Sequence, residues 1–239
     1  MFGVRYSPPK TESEGEKPFW ISYADLMTAL MMLFLVVMVA SLISVTKKIA
    51  IETSGEKQRT TDIQKICDTL NIEALKVNKN IHVDCKDNRI NFGEAGRFGY
   101  DGYKLNEEGV RALQDVVPII LQVSNGEEGR KWFKQVLIEG FTDTDGAYLY
   151  NLHLSLLRSE SVMCTLLSGQ SSNFSENQLR DIKALFLAGG VSFNNAKNSK
   201  EESRRVELRL QFYGLKEKKD KTDLGTKFEN QKQEICQLK

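Results

Sequence analysis

FWISYADLMTALMMLFLVVMVASLISVT, residues 19–46, is the stretch whose reading decides the architecture. It lies within the 29 residues between Lys17 and Lys47, of which 22 are apolar and one, Asp25, is charged. Residues 26–45 alone would form a helix of about 30 Å, the thickness of bilayer hydrocarbon. A signal peptide has a shorter apolar stretch, about 7–15 residues, ending at a small-residue cleavage site. Here the run is longer, no A-x-A site closes it, and no Cys follows to carry a lipid. The pattern predicts a retained transmembrane helix over 19–45. Flanking charge orients it weakly: Arg5, Lys10 and Lys17 are offset by Glu12, Glu14 and Glu16, while Lys47 and Lys48 lie beyond the other end. This gives a slight preference for the N-terminus inside.

Asp25 is the informative residue of the span. A carboxylate in hydrocarbon is costly and normally faces protein or water. On a helix, Ser22, Asp25, Thr28 and Ala29 share one small, polar stripe, while Leu26, Met27, Leu30 and residues 33–37 are bulky. Such a stripe suits a narrow ion path against a partner helix. The alternative is a carboxylate snorkelling from the helix end, six residues after Phe19.

The rest of the chain reads outward from the span. Residues 1–18 form a polar tail, and residues 46–80 a helix-prone linker. In that linker Ile63, Ile66, Leu70 and Ala74 recur at helical spacing, as a pairing or docking face would. Residues 81–213 read as one α/β domain. IHVDC and RINFG are short strands about a turn, and Asn106 caps a helix bearing Val110, Leu113, Val116 and Val117. KQVLIEGF is a buried-type strand. Residues 148–167 form a helix with Leu149, Leu152, Leu156, Met163 and Leu166 toward the core, and a further helix covers 176–187. In RRVELRLQF, Val206, Leu208, Leu210 and Phe212 alternate with Glu207, Arg209 and Gln211. The order of elements implies a mixed sheet with helices on one face. Residues 214–239, with seven Lys and five acids, form a polar tail expected to be flexible.

Composition excludes several functions. Lys and Arg total 33 against 32 Asp and Glu, so no basic excess drives phosphate binding, and no direct nucleic-acid partner is expected. Two His, and four Cys without a C-x-x-C pair, argue against a zinc site, and no metal ligand set is assigned. No nucleophile–base pair or cofactor loop is present, so the chain is read as a non-enzyme with no catalytic residues and no cofactor. One polar constellation stands out in GFTDTDGAYLYNLHLSLLRSE. Asp143 and Asp145 follow a strand end, and Asn151, Ser155 and Arg158 share a helical face opposite the apolar stripe. A carboxylate near a guanidinium can hold a zwitterion, the acid taking its ammonium and the Arg its carboxylate. An ordinary loop acid and a structural salt bridge would look the same.

Two stretches carry a family resemblance. EKPFWISYADLMTALMMLFLVVM, residues 16–38, resembles the membrane segment of MotB-type flagellar stator subunits, whose Asp carries the coupling ion. TDTDGAYLYNLHLSLLRSESV, residues 142–162, followed by SRRVEL at 203–208, resembles the OmpA-like peptidoglycan-binding domain. Phe141 stands where that pattern has His, and Ser203 where it has Asn. FWISYADLMTA, GEAGRF, YNLHLSL and LAGGVSFNNAK are most similar to the stator-like subunits of Zorya anti-phage defence systems. The resemblance implies an inner-membrane, single-pass protein with a cytoplasmic N-terminus, a periplasmic plug-like linker and a periplasmic wall-binding domain. It implies that Asp25 carries the translocated ion, with Ser22 and Thr28 beside it. It implies that Asp143 and Arg158 hold the diaminopimelate of the wall peptide, with Thr142, Asn151 and Arg205 in support. The implied assembly is a homodimer inside a pentameric MotA-like membrane partner, ZorA in those systems. A proton is the expected ion, because sodium wants several oxygen ligands. A flagellar stator subunit and a purely structural wall anchor are the alternatives.

An outer domain would sit in an oxidising compartment, and all four Cys lie beyond the span. Of the three possible pairings, local economy favours Cys67–Cys85 and Cys164–Cys236, the second pinning the tail. Four buried free thiols are the alternative.

Overall fold

The computed structural model describes residues 19–168 and 174–217, with Cys236 and Leu238, and side chains from residue 23 onward. The expected N-terminal tail, 1–18, and most of the expected C-terminal tail, 214–239, lie outside the described residues. The chain divides into two compact units, Met1–Ser54 and Gly55–Lys239.

In the first unit, helix α1 (Phe19–Val77, 59 residues) begins and runs without a break past the apolar stretch. This helix is long and apolar enough to cross a membrane. The side chains of residues 23–54 are exposed along it, large hydrophobics included. The hydroxyl of Thr46 turns back onto the carbonyls of Leu42 and Ile43, which hides it from an apolar surrounding.

The second unit takes in more of the chain than the sequence pattern suggests. Its first residues are the remainder of α1, from Gly55 on. There Ile66, Cys67, Leu70 and Ala74 are buried, and Ile66, Leu70 and Ala74 join the domain core. The stripe expected to mark a linker's docking face is thus spent within the chain, and the domain begins near 55 rather than 81. Polar contacts fix this segment. Asp62 accepts from Trp132 Nε1 (2.9 Å) and Gln58 Nε2 (2.7 Å), and Arg59 Nε donates to the carbonyl of Tyr213 (2.7 Å). Trp132 and Gln58 hold the Asp62 carboxyl below the usual carboxylate range, against the opposing effect of burial.

Further elements are β1 (His82–Asp84), β2 (Arg89–Asn91), α2 (Glu107–Ser124), α3 (Glu127–Trp132), β3 (Phe133–Gly140), α4 (Tyr148–Leu167), α5 (Glu176–Leu185), β4 (Phe186–Gly190), α6 (Lys200–Ser203) and β5 (Val206–Phe212). Asn106 caps α2 by accepting from the Gly109 amide at 2.7 Å. The five strands form one mixed sheet in the order β1-β2-β5-β3-β4, with only β3 and β4 parallel. Ile90, Leu208 and Ile138 stand side by side across the register and face the helices.

Two details differ from the sequence reading. The helix expected over 176–187 ends at Leu185, and FLAGG pairs with β3 as an unexpected fifth strand. The apolar stripe read on α4 is also partly outside: Leu149 is 74% and Leu156 44% exposed. Its polar stripe, Asn151, Ser155 and Arg158, is the buried one. The reason is steric. A Cβ on Gly140 would lie 2.0 Å from the Ser155 carbonyl oxygen, and one on Gly190 2.5 Å from Ser155 Oγ. Two glycine-bearing strands meet the small residue of the helix at a distance no leucine face allows.

Both disulfides close within the second unit. Cys67 is bonded to Cys85 and Cys164 to Cys236, with Cα separations of 5.7 Å and 5.4 Å. The first ties α1 to the residue after β1. The second attaches Cys236 to α4.

Candidate functional site

The end of β3 delivers Phe141, Thr142 and Asp143 to a small polar cavity beside the start of α4. Asp143 is 6% exposed. Its Oδ1 accepts from the Asp145 amide at 3.1 Å, and its Oδ2 pairs with Arg204 Nη1 at 3.0 Å. Asn151 donates to the carbonyls of Asp145 (2.7 Å) and Ala147 (3.3 Å), tying the loop to the first turn of α4. Asp145 also pairs with Lys200 at 2.7 Å, which holds that lysine's pKa above its ordinary value.

Arg158 is completely buried. Its Nε donates to the Gly102 carbonyl (2.8 Å), Nη1 to that of Phe141 (2.6 Å) and Nη2 to that of Gly99 (3.4 Å). The Phe98 ring lies 5.0 Å from its guanidinium carbon. Burial pushes this guanidinium down to about 10, partly opposed by the nearby Asp143. The two carbonyls from 99 and 102 belong to a loop that lines one side of the site, and Tyr150 donates a hydrogen bond from α4 to Asp101 of the same loop. Asp101 sits at φ 55°, a left-handed conformation Asp tolerates better than most residues. The cavity measures about 20 Å³, room for roughly one water. One group in it is unsatisfied: the buried Oγ1 of Thr142 has no hydrogen-bond partner.

Four of the five sequence-derived residues therefore meet here: Asp143, Arg158, Thr142 and Asn151. Arg205 does not. Its Nε donates to Glu207 at 2.6 Å, and its other nitrogens reach the carbonyls of Asn195 and Glu202. The neighbouring Arg204 takes the place beside Asp143. Arg204 caps the end of α6 and turns to Asp143, while Arg205, the next residue, turns to Glu207 instead. Lys200, Asp101 and Tyr150 complete the site. Asp101 and Lys200 come from segments that carry no motif, and Tyr150 lies inside the quoted 142–162 stretch without a role of its own there. Phe141, where the OmpA-like pattern has His, accepts from Arg158 through its carbonyl. Its ring lies 4.1 Å from the Arg205 guanidinium carbon and 5.7 Å from that of Arg89.

In the first unit the candidate ion residues lie one turn apart on α1. Thr28 Oγ1 donates to the main-chain carbonyl of Asp25 at 2.9 Å, which satisfies the hydroxyl and leaves the carboxylate exposed. Ser22 is on the same helix, with its side chain outside the described atoms.

A membrane-length helix bearing one carboxylate, followed by a mixed-sheet domain with a buried acid–arginine site, is the plan of a single-span stator-like protein. Residues 5–54 match the family model described as the membrane MotB of the proton-channel complex MotA/MotB. Among solved structures, the periplasmic domain of Helicobacter pylori MotB is 16% identical, with 53% of this chain and 76% of that one aligned at a TM-score of 0.36. The cell wall anchor of the type VI secretion system from Pseudomonas aeruginosa is 20% identical, with 62% and 97% aligned at 0.36. The Zorya protein ZorB of Escherichia coli O139:H28 (strain E24377A / ETEC) is 62% identical over 242 residues, covering 100% of this chain and 98% of that one. The chain belongs to the ZorB family. That is a family of MotB-like stator and anchor proteins, not of enzymes.

Proposed function

We propose that the chain is the wall-anchored, stator-like subunit of an ion-driven motor in the inner membrane, acting in anti-phage defence. In this reading the N-terminus is cytoplasmic and the second unit periplasmic. Two copies pair and place their helices inside a pentameric MotA-like ring of the ZorA type. Asp25 takes up a proton from one side and releases it to the other, with Ser22 and Thr28 on the same stripe. One charge crossing 100 mV releases about 2.3 kcal/mol. Neutralising and recharging Asp25 changes its best packing against the ring, so each transfer can advance a rotation. Asp143 and Arg158, with Thr142 and Asn151, hold a zwitterionic wall-peptide group and keep the subunit still against that torque.

The observation that carries this reading is Asp25 itself: one charged residue in a 29-residue stretch, on an exposed helix face, inside a MotB-type match. The test is Asp25→Asn, which keeps the shape of the neutral acid but cannot exchange a proton. Membrane insertion and complex yield should be unchanged, while protection, read as plaquing efficiency, should be lost. Protection at the wild-type level would overturn the ion-carrier role.

A further inference from the structure

The sheet face turned away from the core bears a second, larger polar site. Glu207 and Arg209 of β5 alternate with the core residues Val206, Leu208 and Leu210, and so point to the opposite face. With Arg89 of β2 and the loop around residues 195–197 they line a groove of about 1060 Å³ that shares no residue with the Asp143 cavity. Six Lys or Arg line it against four Asp or Glu.

Counting donors and acceptors shows what it is built to meet. Glu207 is 4% exposed and already accepts from Arg205 (2.6 Å), Arg89 (2.8 Å) and Asn91 (3.4 Å). Glu139 of β3, also 4% exposed, accepts from Arg89 (2.5 Å) and Arg209 (3.5 Å). At the rim, Asp84 Oδ1 accepts from the Lys86 amide at 2.9 Å. The donors are less used. Arg89 meets both glutamates through Nη1 alone, and Arg209, 48% exposed at its side chain, makes one long contact. Among the described residues, the ammonium groups of Lys86 and Lys197 have no ion-pair or hydrogen-bond partner. Of the other lining acids, Glu202 pairs with Arg97 at 3.8 Å, and Asp87 is exposed at the rim. A groove with its buried acceptors spent and several cationic donors spare recognises acceptor-rich, negatively charged groups. Two guanidinium forks favour oxygens held in a plane or a tetrahedron.

We propose that this groove binds a multivalent oxyanion bearing carboxylate or phosphate groups, with Arg89 and Arg209 on its floor and Lys86 and Lys197 at its rim. The paired glutamates hold the floor guanidinium groups in place, and the rim lysines, which take no part in that ladder, supply the excess charge. The site is separate from the wall-peptide cavity and does not depend on its reading.

The test is calorimetric titration of the full-length chain in neutral detergent micelles at low salt, with citrate as the carboxylate probe and pyrophosphate as the phosphate probe. Wild type should bind at least one of them saturably, and the one bound identifies the favoured chemistry. Arg209→Gln/Lys197→Gln should weaken that binding by about tenfold or more. Lys57→Gln/Lys79→Gln, which removes two charges outside the groove, should leave it within about twofold. Absence of saturable binding of both probes overturns the proposal, as does equal weakening by the two double variants.

Discussion

Asp143 is ion-paired to Arg204 and not to Arg158, the arginine with which it was expected to act. The 3.0 Å Asp143–Arg204 contact neutralises the acid, and three backbone carbonyls occupy Arg158. Both halves of the candidate zwitterion site are thus satisfied internally. A ligand that uses both groups exchanges these contacts for its own.

The hydrogen bond that ties the 99–102 loop to α4 can be removed. Tyr150→Phe deletes the hydroxyl that holds Asp101 and leaves the ring in place. Amide hydrogen exchange at residues 99–102 should speed up. Unchanged exchange would show that the hydrogen bond does not latch the loop.

Asp143→Ala and Arg158→Lys should each weaken pull-down by sacculi, roughly tenfold or more. Arg158→Lys is the sharper probe, since it keeps a charge but loses the fork. Circular dichroism of both proteins should match that of wild type. Normal sacculus binding by both would remove this cavity from wall recognition.

The disulfides make a chemical prediction. Protein purified with a thiol block and digested without reductant should yield Cys67–Cys85 and Cys164–Cys236 peptides. Four alkylated cysteines would rule out both bonds and remove a main support for a periplasmic domain. A Cys67–Cys164 bridge would refute the attachment of Cys236.

Asp62 makes stability depend on pH. Its carboxyl titrates below its unfolded value of 3.8, chiefly because Trp132 donates to it. A depressed folded value contributes stability that is complete above the unfolded value and fades as pH falls through the folded one. At pH 7, Asp62→Asn should lower the midpoint of thermal unfolding by roughly 2–4 °C. The difference from wild type should shrink below pH 3.8, where the acid of the unfolded chain takes up its proton while the native one is still ionised, and be gone once pH has fallen through the lower folded value. A constant difference down to pH 2 would show that the charge of Asp62 contributes nothing.

Much of this protein is legible in one dimension, because periodicity and local chemistry act there. The span, the Asn106 cap, the alternation along β5 and the motif residues Asp143 and Arg158 depend on neighbours within a few positions. FLAGG was not legible as a strand: two glycines and an alanine have little strand propensity, and β4 exists because β3 pairs with it and Ser155 packs against its last glycine. The buried polar face of α4 follows from the same close approach.

The sequence alone specifies a helix long and apolar enough to cross a membrane, with one carboxylate in its apolar stretch, joined to an α/β domain with an acid–arginine motif. Those features are written in composition and spacing. Only the tertiary structure decided which arginine faces Asp143, where the second compact unit begins, and that carbonyls of residues 99 and 102 take up the Arg158 guanidinium. Each of these turns on groups far apart in the chain, 61 positions for Asp143 and Arg204 and 70 for Asp62 and Trp132, and on which buried polar atom claims which partner.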